Sequence, residues 1–352
     1  MDKKRIYEYD ILRVFVLFLV LIGHCTYLCL LTKYGGINYQ VDNTAIPFAN
    51  EKLSHMVEMI YYFHMPLFMA LSGALAHNAL RKKFQVLVYD KSKRLLIPFI
   101  FVTLFYSTPI KFFTGYYNGF GKKETIKSII IGQLFIQGNS HLWFILTLFF
   151  IFLVMFFLVK IKNKRIIFTL LLLSNYFSSY CEIMLIKYIM ENLLWFYIGY
   201  LFYDIREVYN KFILEHKISN SILPILIFLV LRRGRYLFQN NCLLSLFIFK
   251  LVAAILGMII CYNLAVFFSQ KYSIQNNKIF DLLLKNSYGM YLYSDPINYA
   301  ILFLFSILFG NMFFYSNKGF SIMFIFRLIM TTIVGLVVFI LVRRIGGKKI
   351  NG

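Results

Sequence analysis

The first apolar stretch of the chain, YDILRVFVLFLVLIGHCTY at residues 9 to 27, carries the ionisable residues Asp10, Arg13 and His24. A charge inside the hydrocarbon of a membrane costs at least ~2.5–3.5 kcal/mol, so ionisable residues in such a stretch are functional candidates. A neutral imidazole accepts a proton near pH 7, and it can take the proton of a hydroxyl group or carry an acyl group. His24 is therefore the first candidate for catalysis.

The spacing of Arg13 and His24 predicts that both lie on one face of a helix. Eleven steps of about 100° return nearly to the starting direction, and they separate the two residues by ~16 Å along the axis. Asp10 lies on nearly the same stripe. Two alternatives stay open: Asp10 and Arg13 form an ion pair at the membrane surface, and His24 caps the outer end of its helix.

Two further segments carry candidates at opposite ends of their spans. In YYFHMPLFMALSGALAH, His64 precedes Pro66, which kinks a helix, and Ser72 with Gly73 permits close approach of a neighbouring helix. In the basic segment RKKFQVLVYDKSKRLLIPF, Lys91 and Arg94 are one helical turn apart. These cations either bind lipid headgroups or form an anion site for the phosphates of a nucleotide-like donor.

Three later segments hold polar residues near apolar spans. His141 stands in HLWFILTLFF at the outer interface, and Glu191 stands in ENLLWFYIGYLF near an outer helix end. Asp295, beside Pro296 in SYGMYLYSDPINY, is expected on the cytoplasmic half of its span. A buried aspartate beside a proline kink is functional more often than not. His64, His141, Glu191 and Asp295 are thus secondary or acceptor-site candidates.

Composition requires that membrane helices position these residues. Of the 352 residues, 60% are hydrophobic, and the apolar runs have the length of spanning helices without the alternation of a membrane barrel. The predicted fold class is an all-α integral membrane bundle that forms a single domain over residues 1–352. The predicted spans are 11–32, 57–79, 95–111, 142–159, 166–181, 188–203, 218–231, 243–268, 288–309 and 320–342. Residues 112–140 are expected to form an irregular loop over one mouth of the bundle.

Basic residues predict the orientation of these spans. Cytoplasmic loops of membrane proteins carry an excess of Lys and Arg. With both termini in the cytoplasm, the inner segments carry most of the 37 Lys and Arg residues. The net charge of +22 therefore reflects topology and anionic lipid headgroups, and it does not indicate nucleic-acid binding. The first apolar run is too long for a cleaved signal and is expected to be retained. The five cysteines lack the spacing of a disulfide framework or a zinc site, and no metal site is predicted.

Six segments in order resemble the acyltransferase-3 family of multi-pass membrane acyltransferases across essentially the whole chain. They are YDILRVFVLFLVLIGH, FHMPLFMALSGAL, the basic run ending KRLLIP, HLWFILTL, WFYIGYLF and SYGMYLYSDPI. In this resemblance, His24 matches the essential histidine of the family and Arg13 its partner. Lys91 and Arg94 match the basic Arg-x-x-Arg motif loosely, and Ser294 stands where many members have histidine.

The resemblance implies an O-acetyltransferase of a bacterial cytoplasmic membrane, with no bound cofactor and acetyl-CoA as the acyl-donor co-substrate. The acceptor is a hydroxyl of a surface polysaccharide or of its lipid-linked precursor. Arg13, Lys91 and Arg94 then hold the anionic donor, while His24 either acts as a base or carries the acetyl group, with Asp10 as a further catalytic candidate. No room is left for an extra hydrolase-like domain, so the chain is expected to act directly or with polysaccharide-assembly proteins.

Two other functions fit a polytopic membrane protein. A lipid-linked oligosaccharide flippase or transporter typically shows internal repeats and broken helices in matching positions, and no such symmetry is visible in this sequence. A polysaccharide polymerase predicts a large basic outer loop, and residues 112–140 are only moderately basic. The sequence therefore favours an enzyme.

Overall fold

The computed structural model describes residues 5–32, 35–38, 48–117, 122–136, 141–234, 243–271 and 277–345. Within them the chain is helical, apart from one antiparallel hairpin of β1 (Cys29–Thr32) and β2 (Gly35–Asn38). The helices are α1 (Tyr7–His24), α2 (Phe48–Ala74), α3 (His77–Leu80), α4 (Phe84–Phe113), α5 (Lys122–Leu134), α6 (Trp143–Leu158), α7 (Lys164–Phe177), α8 (Met184–Glu215), α9 (Lys217–Arg233), α10 (Leu243–Lys271), α11 (Lys278–Phe309) and α12 (Asn317–Ile345). Short 3₁₀ turns follow α7 and α11, at Ser178–Tyr180 and Asn311–Tyr315.

The helical membrane class predicted from composition is confirmed. A helix occupies most of each predicted span, but the first one, 11–32, is helical only as far as His24 and ends in strand β1. Within the described residues, four helices are long and apolar enough to cross a membrane, and shorter apolar helices accompany them at Trp143–Leu158 and Ile222–Leu231. The four are Phe84–Phe113, Leu243–Gln270, Lys278–Phe309 and Asn317–Ile345. The ten crossings and the cytoplasmic position of both termini stay predictions.

The irregular loop expected over residues 112–140 is wrong for its middle part. Residues Lys122–Leu134 form helix α5. The Gly and aromatic residues that favoured a loop stand before it, at residues 115 to 120, and residues 118–121 and 137–140 lie outside the described part of the chain. The sequence KKETIKSIIIGQL of α5 has no glycine until its last turn, so nothing interrupts its backbone hydrogen bonds.

Helices α1 and α11 run side by side in the same direction. Near the beginning of both, Nη2 of Arg5 lies 3.0 Å from Oδ1 of Asp281. At the end of α1, Nδ1 of His24 lies 2.9 Å from Oδ1 of Asp295. When successive spans alternate in direction, the first and the ninth span run the same way, as α1 and α11 do here.

Helices α2 and α8 approach so closely that their backbones meet at two glycines. A Cβ atom at Gly73 would lie 1.9 Å from the carbonyl oxygen of Phe196, and one at Gly199 would lie 1.8 Å from that of Ala70. The close approach predicted for Ser72-Gly73 is therefore confirmed. Small residues at a membrane helix interface permit this packing, which fixes α2 against α8.

Replacing Gly199 by alanine is expected to destabilise the bundle by on the order of 3 kcal/mol, because the clashing atom belongs to a backbone and cannot rotate away. The midpoint of thermal unfolding in detergent measures this loss. Gly335→Ala is the graded control, since its Cβ would lie 3.2 Å from the nearest atom. Equal midpoints for the wild type and Gly199→Ala would contradict the close packing.

Candidate active site

A cavity of about 650 Å³ opens at the end of the bundle where α1 ends and where α8 and α10 begin. Predicted site residues from separate segments line it: His24, His64, His141, Glu191 and Asp295. They come from α1, α2, the turn before α6, α8 and α11. Its volume is in the range of ordinary small-molecule sites, and we call it the site cavity.

His24 is the last residue of α1, and its side chain is 23% exposed. Its Nδ1 atom is enclosed and lies 2.9 Å from Oδ1 of Asp295. With Nδ1 turned to the carboxylate, Nε2 is the ring nitrogen that is left for a substrate in the site cavity. The imidazole predicted to be reactive is thus oriented by a partner from another helix.

Asp295 is the centre of the polar contacts around His24. Its Oδ1 atom also accepts a hydrogen bond of 3.0 Å from the Tyr27 hydroxyl, and its Oδ2 atom lies 3.5 Å from Nδ1 of His141. The carboxylate is 3% exposed, and a buried charge of this kind persists only when polar groups surround it. Its expected place on the cytoplasmic half of its span stays a prediction, but the helix that carries it begins ten residues before residue 288. Helix α11 begins at Lys278, where the Asn277 side chain caps it, so Asp295 is near mid-helix and level with His24.

The two ring nitrogens of His141 face other groups of the protein, and only Nε2 makes a hydrogen bond. Its Nε2 atom lies 3.1 Å from the carbonyl oxygen of Leu292, while Nδ1 faces Asp295. The Tyr291 hydroxyl donates a hydrogen bond of 2.5 Å to the carbonyl oxygen of His141. The two hydrogen bonds tie the turn before α6 to α11, so the His141 ring stays next to Asp295.

His64 faces the site cavity from α2, just before Pro66. Its Nδ1 atom lies 2.9 Å from the carbonyl oxygen of Ile60, and its ring packs against the ring of Tyr61 with centroids 4.7 Å apart. A carbonyl oxygen only accepts hydrogen bonds, so Nδ1 carries the hydrogen and Nε2 keeps a lone pair. His64 thus presents a basic nitrogen to the cavity.

Aromatic rings and a few polar groups form the rest of the cavity wall. The rings of Trp143 and Tyr188 pack against each other in the wall with centroids 4.4 Å apart, and Glu191 lies half-buried near them. The further aromatic side chains are Tyr27, Tyr61, Tyr62, Tyr176, Trp195, Phe247, Tyr291 and Tyr299, and the further polar ones include Glu58, Asn175, Asn192 and Lys250. This wall offers flat apolar faces next to groups that donate and accept hydrogen bonds.

A buried arginine of α12 holds the end of α1. The Arg327 guanidinium donates to the carbonyl oxygens of His24, Cys25 and Tyr27 at 2.9, 2.9 and 2.8 Å, and to Oδ1 of Asn298 at 2.9 Å. It is 0% exposed. A cation satisfies the carbonyls that every helix leaves unpaired at its C-terminus, and here it fixes the backbone on which His24 stands. The available signal was the charge itself within the apolar run MFIFRLIMTTIV.

Replacing Arg327 by methionine is expected to cost on the order of 3 kcal/mol, because buried carbonyls at the end of α1 lose a charged donor. Arg327→Lys is expected to recover only part of this loss, since an ammonium lacks the planar fork that reaches several acceptors at once. Thermal unfolding of the purified variants in detergent compares them. Wild-type stability in Arg327→Met would show that these hydrogen bonds contribute nothing.

A second buried cation stands beside the cavity wall. Lys111 of α4 is 0% exposed and donates to Oε1 of Gln133 at 3.1 Å. Its ammonium also lies 4.8 Å from the ring centre of Tyr116 and 5.3 Å from that of Tyr299, which lines the cavity. Lys111 therefore places a positive charge next to Tyr299, although it does not line the site cavity itself.

The remaining candidates lie at the opposite end of α1, away from the site cavity. One alternative was an ion pair between Asp10 and Arg13. Within the described residues Asp10 pairs with Arg5 instead, whose Nε lies 2.6 Å from its Oδ2. Arg13 is half-buried and close enough to Arg94 for their charges to repel. Lys91 sits over the ring of Phe152 at 3.4 Å. The structure thus places Arg13 and Arg94 near each other and separates both from His24.

The basic motif also differs locally from a regular helix. Residues Ser92–Leu96, which include Arg94, form a π-helical turn within α4, and a second such turn follows at Thr103–Ser107. The Tyr288 hydroxyl of α11 donates to the carbonyl oxygen of Arg94 at 2.7 Å. Wider turns of this kind occur often at functional sites, where they change the direction of side chains. Lys91 and Arg94 therefore do not follow the simple one-turn spacing of the prediction.

Comparison with known proteins identifies the family of this chain. Segments of the chain are similar to two proteins called "Nodulation protein NolL": 50% identical over 50 residues in Mesorhizobium japonicum, and 37% identical over 94 residues in Sinorhizobium fredii. These segments span 14% and 26% of this chain but only 13% and 22% of the relatives' lengths. No solved structure matches. A family profile described as "Acyltransferase domain" matches residues 6–344, and with this match over nearly its whole length the chain belongs to the acyltransferase-3 family.

Proposed function

We propose that this protein is a membrane O-acetyltransferase that transfers acetyl from acetyl-CoA to a hydroxyl of a surface polysaccharide or of its lipid-linked precursor. Membership of the acyltransferase-3 family supports the reaction class. The observation that carries the proposal is the pairing of His24 with buried Asp295 at the wall of the site cavity. No resident cofactor or metal takes part, and the CoA thioester is a co-substrate.

The pair suits acyl transfer because Asp295 controls the protonation of His24. A carboxylate next to Nδ1 keeps the hydrogen there and leaves the lone pair on Nε2. When Nε2 gains positive charge during the reaction, the same carboxylate stabilises the charged ring. The Tyr27 hydroxyl holds the carboxylate by a hydrogen bond, and Arg327 holds the backbone of His24. The reactive nitrogen therefore stands in a fixed direction.

The cavity wall supports a sugar as the acceptor. The C–H faces of a sugar ring are apolar and pack against aromatic rings such as Trp143 and Tyr188, while its hydroxyl groups need polar partners. Glu191 and Asn192 supply such groups close by. In this proposal Glu191 accepts a hydrogen bond from a hydroxyl that is not acetylated and so helps to orient the ring.

The donor is assigned to the other end of α1. Arg13 and Arg94 are suited to the phosphates of acetyl-CoA, and Lys91 adds charge nearby. The axial distance of ~16 Å between Arg13 and His24 then separates the phosphates from the point of transfer, as an extended thioester arm requires. In a bacterial cytoplasmic membrane this arrangement has the donor on the cytoplasmic side and the acceptor on the outer side, where polysaccharide-assembly proteins supply it.

The test uses the purified chain in liposomes that contain acetyl-labelled acetyl-CoA inside. Surface polysaccharide of the host, freed of esters by mild alkali, is added outside. We expect alkali-labile label on the polysaccharide and an equal amount of CoA inside. Absence of both products in folded wild-type protein rejects the function. Movement of a lipid-linked sugar across the membrane without acetylation would instead support the flippase alternative.

A further inference from the structure

We propose that transfer takes two steps, in which His24 accepts the acetyl group and His64 then takes the proton of the acceptor hydroxyl. This inference rests on the proposed function and deepens it, since it assigns a second catalytic base in the same cavity. It is carried by the geometry of His64, by the use of His141 elsewhere, and by the separation of the donor end from the cavity.

His64 is held as a base beside His24. The contact of 2.9 Å between its Nδ1 atom and the carbonyl oxygen of Ile60 fixes the hydrogen on Nδ1, so Nε2 has the lone pair. Tyr61, which packs on the His64 ring, also lies against Gly23, where a Cβ atom would be 2.9 Å from Cε2 of Tyr61. Tyr61 thus connects the position of His64 to the end of α1.

A one-step transfer needs only one base, whereas this cavity has two imidazoles whose Nε2 atoms carry a lone pair. In direct transfer, one base removes the hydroxyl proton and the thiolate leaves. Once Nε2 of His24 carries an acetyl group, however, that ring has no lone pair for the proton, because Nδ1 already bears hydrogen toward Asp295. A second base is then required within reach of the acceptor.

The other polar groups around His24 are already engaged. Nε2 of His141 is hydrogen-bonded to Leu292, and Nδ1 faces the Asp295 carboxylate at 3.5 Å in a side chain that is 3% exposed, so neither nitrogen is open to an acceptor. Asp295 is surrounded by His24, Tyr27 and His141. Among the histidines that line the cavity in the described part of the chain, His64 is therefore the one besides His24 whose Nε2 faces no protein partner. Glu58 and Glu191 are further carboxylates of the cavity wall that an experiment has to compare with it.

The two steps balance in atoms and charge. First, Nε2 of His24 attacks the thioester carbon, the C–S bond breaks, and CoA leaves as a thiolate; the acetylated ring is positively charged. Next, the hydroxyl oxygen attacks the acetyl carbon while its proton moves to Nε2 of His64. The bond from the acetyl carbon to His24 breaks, and its electron pair returns to the ring. His64 releases the proton to water, so one ester, one thiolate and one proton result.

This sequence also relaxes a geometric requirement. The donor phosphates are assigned near Arg13, ~16 Å along α1 from His24, whereas the acceptor enters from the cavity. With the acetyl group stored on His24, donor and acceptor never have to be bound at the same time. Leu17 and Leu21 are buried between the two ends, and their side chains then have to move aside only for the thioester arm of the donor.

The experiment uses His64→Asn in proteoliposomes, because the asparagine amide can still donate to Ile60 but has no basic nitrogen. With labelled acetyl-CoA and no acceptor, we expect one burst of CoA and up to one acid-precipitable acetyl group per chain. With de-esterified polysaccharide, transfer is expected to be ~10²–10³-fold slower than in wild type. His55→Asn on the same helix is the matched control, because its side chain is 52% exposed and outside the cavity.

The possible results separate the two proposals. Retained acetyl on His64→Asn, together with slow transfer and wild-type behaviour of His55→Asn, supports the two-step transfer. Loss of the CoA burst along with transfer, in a variant that unfolds at the wild-type temperature, overturns it. A large loss of transfer in Glu58→Gln or Glu191→Gln, with little loss in His64→Asn, also overturns it. If the wild-type protein transfers acetyl but never holds it, the two-step transfer is wrong and the proposed function stands. If the wild-type protein forms no ester, the proposed function itself is wrong.

Discussion

Replacing His24 by alanine is expected to reduce acetyl transfer at least ~10³-fold, because it removes the nitrogen that either takes or activates the acetyl group in any version of the reaction. The protein should still fold. The His24 side chain is partly exposed to the cavity, and Arg327 binds the backbone oxygen of residue 24, which alanine retains. The measurement is ester formation on polysaccharide, with the unfolding temperature determined on the same sample.

The matched control is His55→Ala, another histidine near the same end of the bundle, whose ring lies outside the site cavity. It should keep wild-type rates. A His24→Ala protein that is folded and retains a tenth or more of the wild-type rate would remove His24 from the catalytic role, whatever the rate of the control.

Replacing Asp295 by asparagine is expected to lower the transfer rate by on the order of 10³-fold with little loss of stability. The amide has nearly the shape of the carboxylate, and the Tyr27 hydroxyl and Nδ1 of His24 both face the position of Oδ1. An NH2 group in that position donates to Nδ1 of His24, which moves the ring hydrogen to Nε2 and removes the reactive lone pair, while the Tyr27 hydroxyl can turn to accept. The amide can no longer balance positive charge on the ring. Rates at saturating and at low donor concentration should fall equally, because the loss lies in the transfer chemistry and not in donor binding.

Asp281→Asn is the control for this change, since Asp281 belongs to the same helix and pairs with Arg5 at the other end of the bundle. We expect a nearly unchanged rate for it. If Asp295→Asn retains more than about a tenth of the wild-type rate, its carboxylate serves packing or folding, and the orientation of His24 has another cause.

Much of the helical frame follows from local properties of the chain. Apolar runs of sufficient length predict helices, and helices occupy most of each predicted span. The spacing of Arg13 and His24 places them on one helix because a helix repeats every 3.6 residues. The small side chains of Ser72 and Gly73 also indicated a place of close approach, although they did not identify Phe196 as the contact.

The partners of the site residues could not be predicted in the same way. The contact between Tyr27 and Asp295 joins residues 268 apart in sequence, and that between Arg327 and His24 joins residues 303 apart. A periodic pattern defines which face of a helix is buried but not which helix packs against it. The ion pair of Asp10 illustrates this limit, because Arg13 is near in sequence while Arg5 is the partner in space.

The sequence by itself determined that the protein is a helical membrane enzyme candidate with His24 as its principal reactive residue. It did so because burying charge in hydrocarbon is costly, which makes each ionisable residue in an apolar run informative. Only the tertiary structure decided that Asp295 orients His24, that Arg327 holds its backbone, and that His64 faces the same cavity. Those contacts depend on how distant helices pack, which is set by the complementarity of whole surfaces and not by any single segment.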